Sequence, residues 1–297
     1  MKLFSYIDEK NEAKIGIEID GKHYNFTQIF EFYKDIKGIY RVGQLVFLQL
    51  MVEMGFFNLD DINEIIDTVQ NIRSFDDLIV HEPIRFDVPI GRPQKILCTG
   101  RNYVKHARET GNEPPTEPIF FAKMITTLIP HGGHIVLPHN VGRVDHELEL
   151  AVVISKQCSN ISIENADSCI AGYTIVNDIT ARDLQRKDVE AKKPWLRSKS
   201  FDTFCPVGPY LVPAGIISDE QDLNMSLTVN DEIRQKANTS AMIFPVKQLI
   251  SYYSKFMTLN PGDIIATGTP EGISELHSGD VVACTIDGLG TLINNVL

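Results

Sequence analysis

The spacing of hydrophobic positions changes repeatedly along the first ninety residues, and each change marks an element. Between Lys14 and Ile19 the apolar side chains Ile15, Ile17 and Ile19 alternate with Lys14, Gly16 and Glu18. The alternation breaks at Asp20-Gly21 and the chain continues through Lys22, His23, Tyr24, Asn25 and Phe26. A period of two interrupted by Asp-Gly predicts a β-hairpin. From residue 26 apolar positions recur three and four apart, which predicts helices over residues 26–35 and 41–54 and an acidic helix over residues 59–69. Pro83, Pro89, Gly91 and Pro93 then read as a linker. A boundary near residue 90 follows, with residues 1–90 as a small N-terminal α+β domain and residues 91–297 as the larger, chemistry-bearing one.

Past the linker the pattern is mostly β. Short strands are expected at residues 95–99, 118–123, 134–137, 147–154, 169–177, 223–229, 263–266 and 281–286. Asn230-Asp231 and Ser278-Gly279-Asp280 supply tight turns, and helices are expected only near residues 102–109 and 245–256. Many short strands with Gly and Pro turns predict an α+β, mostly β chain, a mixed β-roll or barrel beside the small first domain.

Composition narrows the function. At 297 residues, 43% hydrophobic and 23% charged, the chain can bury a sizeable core. A net charge of −11 argues against nucleic acid or an anionic membrane as partner. The five cysteines form no CxxC pair, so a reducing compartment, the cytoplasm, is expected. The N-terminus turns polar too soon for a signal peptide. The run over residues 42–57 carries Gln44, Gln49 and Glu53 and falls short of a membrane span.

The chemistry concentrates in Asp145-His146-Glu147-Leu148-Glu149 and, about thirty residues on, Asp178. Side chains two apart on a strand share a face, so Glu147 and Glu149 lie side by side in a segment too apolar to be an edge. Two such carboxylates need a positive partner, and three hard oxygen donors favour Mg²⁺ or Mn²⁺ over zinc. The pattern also fits a half-buried strand with both glutamates in water, and Asp178 as the cap of a helix starting near Thr180. His106 and Glu109 are three apart and share a helical face, the geometry of a carboxylate-held general base and equally of an ordinary solvated pair. His131 and His134 flank a Gly-Gly turn and are assigned to it; His146 points away from Glu147 on a regular strand. The glycines of Thr267-Gly268-Thr269-Pro270-Glu271-Gly272 either present amides to an anion or simply turn the chain. Lys199 by itself reads as a surface lysine.

Together these segments resemble the fumarylacetoacetate hydrolase family, in particular its short-chain members. The matching motifs are Gly100-Arg101-Asn102-Tyr103 with His106 and Glu109, Phe121-Ala122-Lys123, His146-Glu147-Leu148-Glu149, Asp178-Ile179-Thr180-Ala181-Arg182-Asp183, Lys199-Ser200-Phe201-Asp202 and the Thr267 to Gly272 stretch. The resemblance implies a homodimer whose Mg²⁺ or Mn²⁺ is held by Glu147, Glu149 and Asp178. It implies His106 and Glu109 as the water-activating pair on a lid, Lys199 as a catalytic contact, and Gln185, Thr269 and Lys123 as substrate-binding residues. Long members carry a further carboxylate before the histidine; Thr99, Gly100 and Arg101 stand there in this chain.

The expected activity is cleavage of a C–C bond in a small 2-oxo acid through an enolate stabilised by the cation, with acylpyruvate (2,4-dioxo acid) hydrolysis first. The alternative is an isomerase or decarboxylase acting on a hydroxyheptadienedioate-like substrate or on oxaloacetate. Basic residues near the far end of the pocket would favour such a dicarboxylate. A non-catalytic metabolite-binding protein is the remote alternative.

Overall fold

The computed structural model describes residues 1–297, and its framework is one eleven-stranded mixed sheet. From one edge to the other the strands are Lys22–Asn25, Ala13–Ile19, Lys2–Ile7, Cys205–Pro213, Ile170–Asn177, Leu148–Ile154, Ile264–Ala266, Ile96–Gly100 and Ile119–Lys123. Phe86–Asp87 and Leu128–Ile129 add short pieces beside Lys2–Ile7 and Cys205–Pro213. A second sheet of five strands contains Glu232–Asn238, Asn224–Val229, Val281–Ile286, Gly290–Val296 and His134–Ile135. Both sheets keep open edges: the fold is the expected mostly β, α+β arrangement, without a closed barrel. No helix is long and apolar enough to cross a membrane.

Leu148–Ile154 sits in the middle of the large sheet, paired antiparallel to both Ile170–Asn177 and Ile264–Ala266. All seven of its residues are buried, because each face of the sheet carries its own core. Leu148, Leu150, Val152 and Ile154 enter one core with the helix Val246–Ser254 and the five-stranded sheet. Ala151 and Val153 enter the other, with Ile15, Ile17, Phe26 and Phe30 from the first ninety residues. Glu149 belongs to the same row as Ala151 and Val153, and Glu147 extends it. The glutamates therefore stand where an apolar row ends inside the protein, not on a solvent face.

The hairpin Ala13–Ile19 and Lys22–Asn25 forms as expected, as do the helices Phe26–Lys37 and Leu59–Gln70, each with an asparagine N-cap. The middle helix is shorter than the spacing predicts, spanning Leu48–Glu53 only. Side chains claim the backbone before it: Lys34 Nζ donates to the carbonyls of Val42 and Gly43, and Thr27 Oγ1 donates to that of Leu45. The strands Lys2–Ile7, Cys205–Pro213 and Gly290–Val296 carried no local pattern strong enough to mark them, and the helix weighed near Thr180 spans Arg182–Glu190 with Ala181, not Asp178, at its N-cap. Lys2–Ile7 meets Cys205–Pro213 at Leu3 and Leu211, so the N-terminal hairpin and the larger region share one sheet.

Candidate active site

Two strand ends build the centre. Glu147 precedes the central strand, Glu149 lies in it, and Asp178 follows its neighbour Ile170–Asn177. The Asp178 N–H donates to the Glu147 carbonyl at 2.8 Å, and the Glu147 N–H to Asn177 Oδ1 at 2.9 Å, which locks the two ends in register. The three carboxylates are 4%, 1% and 0% exposed, and one oxygen of each lies within 4.8 Å of the others. Glutamates facing water are thus excluded.

Such a cluster survives burial only with compensating charge. Lys199 Nζ lies between two of the three, 2.7 Å from Glu147 Oε2 and 2.5 Å from Asp178 Oδ2. Arg182 Nη2 donates to Glu147 Oε1, its Nε donates to Asp145 at 2.8 Å, and its Nη1 donates to Gln185 Oε1 at 2.6 Å. Lys123 Nζ donates to Asp178 Oδ1 at 2.6 Å and to the Ile179 carbonyl at 3.1 Å. Lys199 and Lys123 are both fully buried cations, where the sequence by itself left Lys199 on the surface. Lys123 is not part of the cavity wall; its position is that of a prop for Asp178, distinct from the substrate contact the resemblance implied.

The charges do not balance evenly. Burial opposes ionisation of Glu147, but Lys199 and Arg182 outweigh it and hold the carboxyl well below the usual range. Glu149 is the reverse. Burial, then the charges of Asp178 and Glu147, push it well above the usual range, and the Gly268 N–H at 2.8 Å is its one hydrogen-bond donor. An all-oxygen cluster with one carboxylate short of positive charge fits a hard divalent cation such as Mg²⁺ or Mn²⁺. Glu147, Glu149 and Asp178 would hold it.

The Thr267 to Gly272 loop serves the protein's own carboxylates. Gly268, at φ +100, turns its N–H to Glu149, and Gly272, at φ +95, donates to both oxygens of Glu109 at 3.0 and 3.2 Å. A Cβ at Gly272 would lie 2.1 Å from the Arg234 carbonyl oxygen. We expect Gly272→Ala to cost about 1–3 kcal/mol and to loosen Glu109. An unchanged denaturant midpoint in that variant would contradict the strain argument.

His106 Nδ1 is 3.4 Å from Glu109 Oε2, and His106 is 5% exposed. The carboxylate on Nδ1 leaves Nε2 for the cavity. Burial raises the Glu109 carboxyl, but the hydrogen bonds from His106 and Gly272 outweigh it and hold it below the ordinary value. His146 bonds Gln235 and Ser274 through its two nitrogens, and burial pushes it down to about 4, so it is a neutral structural group.

These groups open on one cavity of about 530 Å³. Only four of its twenty lining residues are hydrophobic, which suits a small polar ligand. His106, Glu109, Glu147, Glu149, Gln185, Lys199 and Thr269 all line it; Asp178 stands behind them. Thr269 Oγ1 accepts from Gln235 Nε2 at 2.9 Å. Gln235 also takes the Leu148 N–H, so a fully buried amide joins the cavity-lining threonine to the central strand. Gln235 gave no signal in the sequence, and Asp145 stood in the acidic segment without a role. Arg182 did, lying four residues after Asp178 in a motif that assigned it no role.

Comparison with known proteins shows relatives of this sequence and fold. The mitochondrial oxaloacetate tautomerase of Xenopus laevis is 41% identical over 253 residues, covering 83% of this chain and 77% of that protein. The solved fumarylacetoacetate hydrolase from Exiguobacterium antarcticum superposes with a TM-score of 0.80 at 29% identity, covering 100% of this chain and 99% of its own. The solved fumarylpyruvate hydrolase from Pseudomonas aeruginosa, in complex with Mn²⁺ and pyruvate, gives a TM-score of 0.67 at 34% identity over 73% of this chain and 94% of its own. Residues 95–297 match the profile described as Fumarylacetoacetate (FAA) hydrolase C-terminal, and the chain belongs to the fumarylacetoacetate hydrolase family.

Proposed function

We propose that this chain is a divalent-metal-dependent enzyme of small 2-oxo acids, and that it hydrolyses the C3–C4 bond of a 2,4-dioxo acid of the acylpyruvate type. The observation that carries the reading is a carboxylate-oriented histidine, His106, opening on the same cavity as a buried acidic triad. A fumarylpyruvate hydrolase among the similar structures, solved with Mn²⁺ and pyruvate, supports it.

A divalent cation, when bound, supplies positive charge for the substrate's carboxylate and for the charge that develops on its 2-oxo oxygen. The chain's own residues do the rest. His106 Nε2 accepts a proton from water as the water oxygen attacks the C4 carbonyl, and Glu109 stabilises the imidazolium that results. Lys199 has two of its three N–H bonds on Glu147 and Asp178 and lines the cavity with the third, which can donate to the C4 oxygen. As the C3–C4 bond breaks, its electron pair leaves with the pyruvate fragment as an enolate; the His106 imidazolium returns its proton to C3, and the new carboxylic acid loses its own to solvent. Thr269, held by Gln235, would bond the substrate's carboxylate. The working form is proposed to be a homodimer, following the family resemblance.

A specific observation favours a second reading. Arg101, Arg143 and Arg186 line the cavity as well as Arg182, and a cationic wall suits a dicarboxylate. Oxaloacetate, the substrate named for the Xenopus laevis relative, would need no attacking water for loss of CO₂ or for keto–enol exchange.

A coupled assay of pyruvate release from acetylpyruvate and from oxaloacetate, with and without Mg²⁺ or Mn²⁺, separates the readings. Metal-dependent release from acetylpyruvate is the expected result. Release from oxaloacetate alone would replace hydrolysis with decarboxylation.

A further inference from the structure

One wall of the cavity is aromatic and carries a cation near each end. Lys199 Nζ lies 4.9 Å from the centre of the Phe121 ring, Phe121 meets Trp195 edge-on at 5.3 Å, and the Arg101 guanidinium lies 5.5 Å from the Trp195 ring centre. Trp195 is fixed by close packing: a Cβ at Gly100 would come within 2.7 Å of its ring.

The two cations differ in their partners. Lys199 is shared by Glu147 and Asp178. Arg143 and Arg182 divide Asp145, and Arg186 pairs with Asp183. Arg101 alone among the cavity's lysines and arginines has no carboxylate partner and makes no side-chain hydrogen bond to the protein. It is only partly exposed, and its backbone sits at φ 57, a conformation that costs a side-chain-bearing residue about 1–3 kcal/mol. Desolvation lowers its guanidinium from the ordinary value, so the charge is held at some cost with nothing in the protein to offset it. An unpaired, planar guanidinium beside an aromatic ring and lining a polar cavity can take a carboxylate through two N–H donors.

We propose that Arg101, beside Trp195, is the subsite for a second anionic group of the substrate, so that dianionic 2-oxo acids bind more tightly than neutral-tailed ones of the same length. The proposal rests on the reading of the acidic centre as the site that takes the 2-oxo acid end. Arg101 is then a specificity residue: it binds the far carboxylate and takes no part in bond breaking.

Calorimetry on the Mn²⁺-loaded protein tests both levels. Three probes are compared: oxalate, which ends at the centre, 2-oxoglutarate, and 2-oxopentanoate, which has a methyl group in place of the far carboxylate. The wild-type protein is expected to bind 2-oxoglutarate at least about tenfold more tightly than 2-oxopentanoate, the effect of one good charge-assisted pair. Arg101→Gln is expected to abolish that preference while oxalate affinity stays unchanged. Equal binding of the two longer acids by the wild-type protein, or a preference that persists in Arg101→Gln or disappears instead with Arg186→Gln, overturns the proposal. If Arg101→Gln does not fold, Trp195→Leu removes the platform, and an undiminished preference in that variant overturns it as well. Failure of oxalate to bind the wild-type protein overturns the reading of the centre and the subsite with it.

Discussion

His106→Ala is expected to reduce hydrolysis of a 2,4-dioxo acid by about 10²–10⁴-fold, the usual contribution of a positioned general base. The side chain is buried against Glu109 and lines the cavity, and no other histidine does so. Mn²⁺ affinity should be nearly unchanged, because the three carboxylates keep their own partners in Lys199, Lys123 and the Gly268 N–H. The pair of measurements matters more than either alone. Activity lost with metal binding retained places His106 on the attacking water. Undiminished turnover of the dioxo acid removes it from the mechanism. Oxaloacetate decarboxylation needs no attacking water, so the same variant should retain it, and a parallel loss of both reactions would give His106 a role common to the two substrates.

Glu149→Gln should act in opposite directions on stability and on function. In the metal-free protein Glu149 is a carboxyl that burial and the charges of Asp178 and Glu147 push well above its usual range. The sign follows from linkage. A carboxyl whose folded value is raised favours the folded state fully below its unfolded value, about 4.3, and that contribution is lost as pH rises toward the folded value. Glu147, held low by Lys199 and Arg182, does the reverse: its contribution is present above the unfolded value and is lost as pH falls. Replacing this titrating carboxyl by its uncharged isostere should therefore stabilise the metal-free protein near neutral pH by roughly 1–2 kcal/mol, a rise of about 2–8 °C in unfolding midpoint. The same change should abolish the stabilisation by Mg²⁺ or Mn²⁺, which in the wild-type protein amounts to about 2.7 kcal/mol at a hundredfold excess over the dissociation constant. Metal affinity in the wild-type protein should also rise with pH, since the cation takes the ionised form of a carboxyl whose hold on its proton is raised. Thermal unfolding of both proteins with and without Mn²⁺ reads all of this. A metal-dependent shift that survives in Glu149→Gln would take Glu149 out of the ligand set.

The sequence by itself determined the parts whose geometry is local. A period of two puts Glu147 and Glu149 on one face of any strand they share, and three residues along a helix bring His106 to Glu109 wherever that helix lies. The Asp-Gly hairpin, the two asparagine-capped helices and the mostly β character followed from the same short-range rules. The order of the family motifs supplied roles for these residues that spacing left open. What the tertiary structure decided is which charges meet. Lys199 lies 52 residues from Glu147, Lys123 lies 55 from Asp178, and the Gly268 amide comes from 119 residues beyond Glu149. Nothing in the spacing marks Lys199 as buried, Glu149 as the carboxylate short of positive charge, or Arg101 as the wall cation without a partner. The strand Lys2–Ile7 was likewise invisible until Leu3 met Leu211. Periodicity reports how a backbone turns over a few residues. Ionisation in a buried site depends on every charge within a few ångströms, and only the folded chain brings those together.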